Sequence, residues 1–309
     1  MKFGTSFPCT NYYPPALQPW EPKASDKDLA VIARAIDKAG FDYLSVSDHI
    51  IMSTELGEKM GNHWVDAIAL LGMLCGATEN VKVYTSVLVA PYRHPLILAK
   101  QFSSLDYLSG GRVVCGIGIG HQEKEFELLG ISRPDRAAIT DEYLEAIKVL
   151  WTEDNPEYRG KYVSFNDIKF EPKPTNNRHL PIWIGGNSRP GMRRAAKYGD
   201  GWVPWQITPQ QLPECLNYMR DQAGFAEREA TGYDIVMPTT IIMREEGTQR
   251  ILGETIIPDG VQEWIDVVGA NKDAGANVST VTFGHTTTIQ EYLDKIALFV
   301  EEVMPKFKD

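Results

Sequence analysis

Hydrophobic and polar positions follow two rhythms along this chain. Short runs rich in Val, Ile, Tyr and Phe, with the period of a strand, give way to longer runs whose apolar residues recur three and four apart. Strands are predicted at Lys2–Phe7, Asp42–Ser47, Val81–Val87, Arg112–Ile117, Leu180–Ile184, Gly201–Val203, Ile235–Met243 and Val278–Phe283. The helix after the first strand opens on Ser25, with Asp28 three positions later as in a capping box, and runs to Gly40. Further helices are expected at Val65–Thr78, Pro95–Leu108, Glu123–Leu129, Thr140–Trp151, Arg189–Tyr198, Pro209–Gly224, Val261–Ala274 and Ile289–Val303, with a hairpin-like segment at Tyr158–Pro174. Eight alternating units without an internal linker predict an α/β fold, a closed (β/α)8 TIM barrel in one domain over residues 1–309, with insertions after strands 2 and 4.

Composition narrows the class. Of the 309 residues 43% are hydrophobic and 23% charged, the balance of a globular protein. The net charge of -10 argues against nucleic acid or an anionic membrane as the main partner. The opening MKFGTSFPCT has no signal-peptide core, and the apolar stretch around Ala67 to Ala77 is too short to span a bilayer, so a soluble cytoplasmic protein is expected. Cys9, Cys75, Cys115 and Cys215 are scattered, without metal-ligand spacing, and read as reduced buried thiols; no metal is predicted.

In a barrel of this kind, chemistry collects where strands end and loops begin. The fourth strand runs into Gly116-Ile-Gly-Ile-Gly-His121. A dinucleotide fingerprint would need glycine at the sixth position, but His121 stands there counted from Gly116, and Glu123 counted from Gly118. Gly118 and Gly120 serve either as a plain strand-end turn or as cleared volume that lets a flat ligand lie close to the backbone. The second strand delivers Asp48 and His49, an imidazole suited to proton transfer near neutral pH beside a carboxylate that could orient it. The third ends at Ser86 and Val87, leading to Tyr92, Arg93 and His94. The fifth ends in Gly185, Gly186, Asn187 and Ser188 at a helix start, which suits a phosphate or simple capping, with Arg189, Arg193 and Arg194 nearby. Trp64, Trp205 and Met243 are candidate substrate-pocket residues and, with Tyr12 and Tyr13, suggest either an apolar or aromatic mouth or ordinary core, while His285 follows the last strand.

The order and spacing of Ser47-Asp-His49, TSVLVAPYRHP (85–95), LSGGRVVCGIGIG (108–120), EFELLGI (125–131), TDEYLEAIKVLW (140–151), PIWIGGNS (181–188) and YGDGW (198–202) resemble the bacterial luciferase-like superfamily of flavin and deazaflavin oxidoreductases. The resemblance covers most of the chain and thins from about Gln206. It implies a barrel of the luciferase-like type with a tricyclic ring system at its C-terminal mouth, and a non-proline cis peptide at Ser86–Val87 in a bulge of the third strand that supports the ring. The cofactor phosphate would lie against Gly186, Asn187 and Ser188, with Asp48, Ser86, Val87, Gly118, Gly120 and Gly185 also in the binding set.

The pairing of SDH with TSVL is most similar to the branch using coenzyme F420, which implies hydride transfer with a small organic substrate, His49, His121 and Asp48 acting catalytically. FMN is the alternative cofactor, working with dioxygen as a monooxygenase, and a flavin-binding barrel without catalysis is the second alternative. Relatives often carry Trp or Glu where this chain has His121, so here an imidazole either takes the proton-transfer role or shapes the pocket. Ser53 is expected in a pocket wall, Tyr158–Pro174 as a lid or dimer contact of a homodimer, and Arg112, Arg136 and Glu142 in structural ion pairs.

Overall fold

The computed structural model of the protein describes residues 1–175, 179–242 and 255–308. Its elements are β1 (Lys2–Ser6), α1 (Asp26–Lys38), β2 (Tyr43–Val46), α2 (Thr54–Met60), α3 (Ala67–Ala77), β3 (Lys82–Thr85), β4 (Leu88–Val89), α4 (Pro95–Ser109), β5 (Val113–Gly118), α5 (Glu123–Leu128) and α6 (Arg136–Thr152). A short antiparallel ribbon follows, β6 (Tyr158–Arg159) with β7 (Ser164–Phe165). Then come β8 (Ile182–Gly185), α7 (Arg189–Tyr198), β9 (Gly201–Val203), α8 (Leu212–Arg220), α9 (Phe225–Ala230), β10 (Asp234–Pro238), β11 (Ile241–Ile242), β12 (Thr255–Ile256), α10 (Val261–Asp273), β13 (Val278–Val281) and α11 (Ile289–Glu302).

The main sheet runs β3-β2-β1-β13-β10-β9-β8-β5-β4, and a β3–β5 pairing closes it. All of these pairings are parallel, and β3 with β4 forms one interrupted stave, so the structure is a closed eight-stranded (β/α)8 barrel. Strand alternation sends Tyr43, Tyr84, Val114, Trp183, Val236 and Val278 into the barrel, where the Tyr43 and Tyr84 rings each lie 4.8 Å from that of Trp183. The opposite faces of the staves pack against the helices through residues such as Leu44, Cys115, Ile117 and Ile184. Helix α1 shows how local chemistry sets these units: Ser25 and Asp28 form the expected capping box, while Ile32, Ala33 and Ile36 face the sheet. Among the described residues no helix is long and apolar enough to cross a membrane.

Several boundaries differ from those read off the pattern, each for a local reason. The third strand is split, with the cis peptide Ser86–Val87 between its halves. Tyr84 pairs with Val114 but Leu88 with Ile117, so this stave carries one residue more than its neighbour, the definition of a bulge. Helix α6 begins at Arg136, directly after Pro134 and Asp135, not at Thr140. The run 209–224 holds one shorter helix, α8 (Leu212–Arg220), and Gly224, left-handed (φ 78°), turns the chain into a further helix, α9, that the pattern did not predict. The predicted strand 235–243 ends as a barrel stave at Pro238, and Ile241–Ile242 pairs instead with β12. In Tyr158–Pro174 only four residues form the ribbon, whose turn is held by Glu142 of α6 through the backbone N–H groups of Lys161, Tyr162 and Val163.

Candidate active site

The glycines of β5 face the split stave. A Cβ at Gly116 would stand 1.6 Å from the Thr85 carbonyl oxygen, one at Gly118 2.5 Å from Val87 Cγ2, and one at Gly120 2.7 Å from Val89 Cγ1. On the other side, a Cβ at Gly185 would stand 2.9 Å from Val87 Cγ1. Gly118 and Gly185 continue the inward-facing series begun by Val114 and Trp183, so the Val87 side chain sits on the barrel's axis side, between β5 and β8. The volume that Gly118 and Gly120 leave is therefore filled by the protein's own Val87 and Val89. This corrects the expectation that it stood open to a ligand.

Beside this rim three segments meet. His49 Nδ1 lies 3.0 Å from Glu125 Oε2, with Glu125 fully buried and His49 nearly so. The same carboxylate accepts Tyr92 Oη–H at 2.9 Å, Ile50 N–H at 2.7 Å and Ile51 N–H at 3.3 Å. Burial works to raise the Glu125 pKa, but the His49 hydrogen bond and charge, with Gln122 and the Ile50 amide, outweigh it and hold the group at about 2. The His49 ring meets Trp64 edge-on at 4.5 Å and His121 at 5.5 Å. His121 is the outermost of the group; desolvation by its neighbours, then the adjoining His49, hold its imidazole below the usual histidine range. It also lines a concavity of about 380 Å³ with Ser53, Leu56, Lys59, Gln122 and Lys124, between α2 and α5. Gln122 ties that wall down, accepting Ser53 N–H at 2.7 Å and donating to the Ile51 carbonyl at 2.8 Å.

Asp48 does not orient His49, contrary to what its position in the sequence suggested. Its buried carboxylate takes both guanidinium nitrogens of Arg93 at 2.8 Å and Val89 N–H at 3.1 Å, bracing β4 against β2. Successive residues leaving a strand project to opposite sides, so the orienting carboxylate comes from α5 instead. Glu125 is the residue that sequence reasoning missed as a functional group. The sequence carried it only as the first residue of EFELLGI, one of three glutamates on this helix; the structure singles it out by burying Glu125 beside Phe126 while Glu123 and Glu127 are exposed.

Across the mouth, Gly186 (φ 131°) follows β8, and a Cβ there would meet nothing closer than Gly191 Cα at 3.7 Å. Asn187 Oδ1 accepts Trp205 N–H at 2.7 Å, and Ser188 caps α7 by accepting Gly191 N–H at 3.3 Å. Trp205 is 38% exposed at this rim. Of the nearby cations, Arg194 is buried and paired with Asp141, while Arg189 stacks on the Tyr218 ring and Arg193 donates to its hydroxyl. Ser86 lies between the halves of the split stave, and Met243 lies outside the described residues.

The three residues expected in ion pairs behave otherwise. Arg112 donates to the carbonyls of Cys75, Thr78, Val81 and Ser109, Arg136 to that of Arg133, and Glu142 binds the ribbon backbone. Tyr12 stacks on His63 at 3.9 Å, and Tyr13 Oη lies 3.3 Å from Thr255 Oγ1. Among the described residues no group of three or more His, Cys, Asp or Glu is placed to hold a metal ion.

A closed parallel barrel with buried ionisable groups and a helix N-terminus gathered at the C-terminal rim is the architecture of a barrel enzyme. The chain belongs to the luciferase-like monooxygenase family, whose family model matches residues 1–251. It is 28% identical over 253 residues to the FMNH2-dependent dimethylsulfone monooxygenase of Pseudomonas putida, covering 79% of this chain and 66% of that one. It is 30% identical over 181 residues to the F420-dependent glucose-6-phosphate dehydrogenase of Amycolatopsis mediterranei, 57% of this chain and 53% of the relative. The match thus spans about two thirds of the first relative's length and about half of the second's. Among solved structures, an F420-dependent secondary alcohol dehydrogenase in complex with an F420–acetone adduct superposes with TM-score 0.77 at 20% identity, covering 100% of this chain and 99% of that one. The monooxygenase RslO1 from Streptomyces bottropensis matches equally, TM-score 0.77 at 20% identity and 100% of both chains. At these identities the superpositions show a shared fold.

Proposed function

We propose that the protein is an F420-dependent oxidoreductase acting on a small organic substrate at the barrel mouth. The observation that carries this reading is the pair of imidazoles, His49 and His121, beside the Val87 rim, one of them held by a buried carboxylate. The residues suit a flat cofactor: Val87, seated over Gly118 and Gly185, offers an apolar surface, and Gly186, Asn187 and Ser188 offer backbone N–H groups at the start of α7 for a phosphate. When bound, the deazaflavin supplies or receives the hydride. His49 holds or relays the accompanying proton, and His121 passes it towards the wall between α2 and α5. Trp64 keeps water from one face of His49, and Trp205 closes the opposite rim. Asp48 contributes through Arg93, by holding the split stave in place.

One observation favours a second reading, an FMNH2-dependent monooxygenase: the P. putida relative aligns with 79% of this chain, the F420-dependent one with 57%. Equilibrium titration with F420 and with FMN, followed by oxygen-free turnover, separates the two. Tight F420 binding and anaerobic turnover are the expected results; binding of FMN alone with dioxygen consumption overturns the proposal. His49→Ala with His121→Ala is expected to lower kcat by a factor of about 10²–10⁴, the usual worth of a positioned acid–base group. We further propose one domain over residues 1–309, working in the cytoplasm as a homodimer; a monomeric sedimentation coefficient at assay concentration contradicts the last point.

A further inference from the structure

We propose that Glu125 is the positioning residue of His49: it holds the proton on Nδ1 and so leaves Nε2 as the nitrogen that serves the reaction. The inference rests on the reading of His49 as the proton-handling group and deepens it. A carboxylate accepts hydrogen bonds and has none to give, so the ring nitrogen 3.0 Å from Glu125 Oε2 must carry a hydrogen. In a neutral imidazole that leaves only Nε2 unprotonated.

The carboxylate is itself saturated. Oε2 receives His49 and Tyr92, and Oε1 receives the amides of Ile50 and Ile51, four donors on a group with about four acceptor positions. Protonating it would break one of these bonds inside a fully buried pocket. Glu125 therefore stays ionised, in keeping with its low pKa, and does not compete for the proton that His49 handles. The two backbone amides also fix the first residues of the loop after His49, so one side chain sets the ring's tautomer and the path of the chain that carries it. Tyr92 shares Oε2 with His49 and limits how far the carboxylate can follow the ring.

Gln at position 125 can keep the Ile50 and Ile51 amides on its oxygen, but its NH2 then faces His49 and Tyr92. Nδ1 must accept from it, and the ring proton moves to Nε2. Imidazole 15N NMR of the cofactor-free protein, at a pH where His49 is neutral, reads this directly. The wild-type protein is expected to show the Nδ1–H tautomer, and Glu125→Gln the Nε2–H tautomer. Tyr92→Phe removes a neighbouring donor while keeping the charge; it is expected to retain the wild-type tautomer, with the Nδ1–H resonance moved further downfield. With substrate, Glu125→Gln is expected to lower kcat by about 10²-fold or more, as wrong-tautomer variants of other imidazole–carboxylate pairs do, with KM changed only a few-fold.

An Nε2–H tautomer in the wild-type protein overturns the proposal, as does an unchanged Nδ1–H tautomer in Glu125→Gln. The wild-type spectrum tests it even where the Gln variant does not fold. Because the spectrum needs neither cofactor nor turnover, failure of the F420 reading and failure of the Glu125 assignment give different results.

Discussion

The two sides of the barrel mouth are built by different means. On the β2–β5 side, ionisable side chains from distant segments are buried against one another: His49 meets Glu125 across 76 positions, and Asp48 meets Arg93 across 45. On the β8–α7 side neutral side chains accept backbone N–H groups from closer along the chain, Ser188 from Gly191 across 3 positions and Asn187 from Trp205 across 18. The first side makes specific demands on each partner, because a buried ion left alone is costly. The second uses a helix start that almost any capping residue can furnish. Under the proposed function, proton handling and anion binding would divide between a side that tolerates little change and one that tolerates more.

Breaking the first side should have the largest effect. Arg93→Ala leaves Asp48 buried with only the Val89 amide, and is expected to lower unfolding free energy by about 3–5 kcal/mol in denaturant titration; a loss under about 1 kcal/mol would mean that water reaches Asp48. The glycine contacts lie between the two sides and come next. Gly118→Ala drives a methyl into Val87 and should cost about 1–3 kcal/mol, and Val87→Ala in the same chain should recover part of it in a double-mutant cycle. Strict additivity would show that Val87 is not what Gly118 accommodates.

On the second side, Ser188→Ala should lose about 1 kcal/mol of stability, the usual worth of an N-cap, and weaken binding of an anionic ligand without moving its pH dependence. A loss as large as that of Arg93→Ala would erase the contrast between the two sides. The smallest signal is titration of His121. Its folded pKa lies below the ordinary value of 6.5, so on acidification the unfolded chain takes up the proton first. Stability should therefore fall as the pH drops from about 6.5 towards the folded pKa, with a slope of less than one proton that disappears in His121→Gln.

How much of this was legible in the sequence depends on the reach of each interaction. The capping box at Ser25, the proline-led start of α4 and the cap at Ser188 were readable because donor and acceptor lie within one turn. The split of the third stave was readable only through family resemblance, since nothing in Val81–Val87 itself interrupts the strand pattern. The helix expected to end at Gly224 stops at Arg220, and the short helix α9 that starts beyond Gly224 was missed, because the pattern alone does not show that a left-handed glycine can start a new helix as well as end one.

The sequence by itself determined the eight alternating units, and with them which residues stand at strand ends: Asp48, His49, Val87, Gly118, His121, Gly186 and Ser188. Periodicity and capping are local, and a barrel converts strand order into a ring of strand ends without further instruction. Only the tertiary structure decided the partners. Neighbours along an extended segment point apart, so Asp48 went to Arg93 and His49 to Glu125, and only the side-by-side pairing of β2, the split stave and β5 brought α5 and the segment after β4 within reach of the end of β2. The same pairing set Gly118 against Val87, filling space that the chain, read alone, left either to a plain turn or to a ligand.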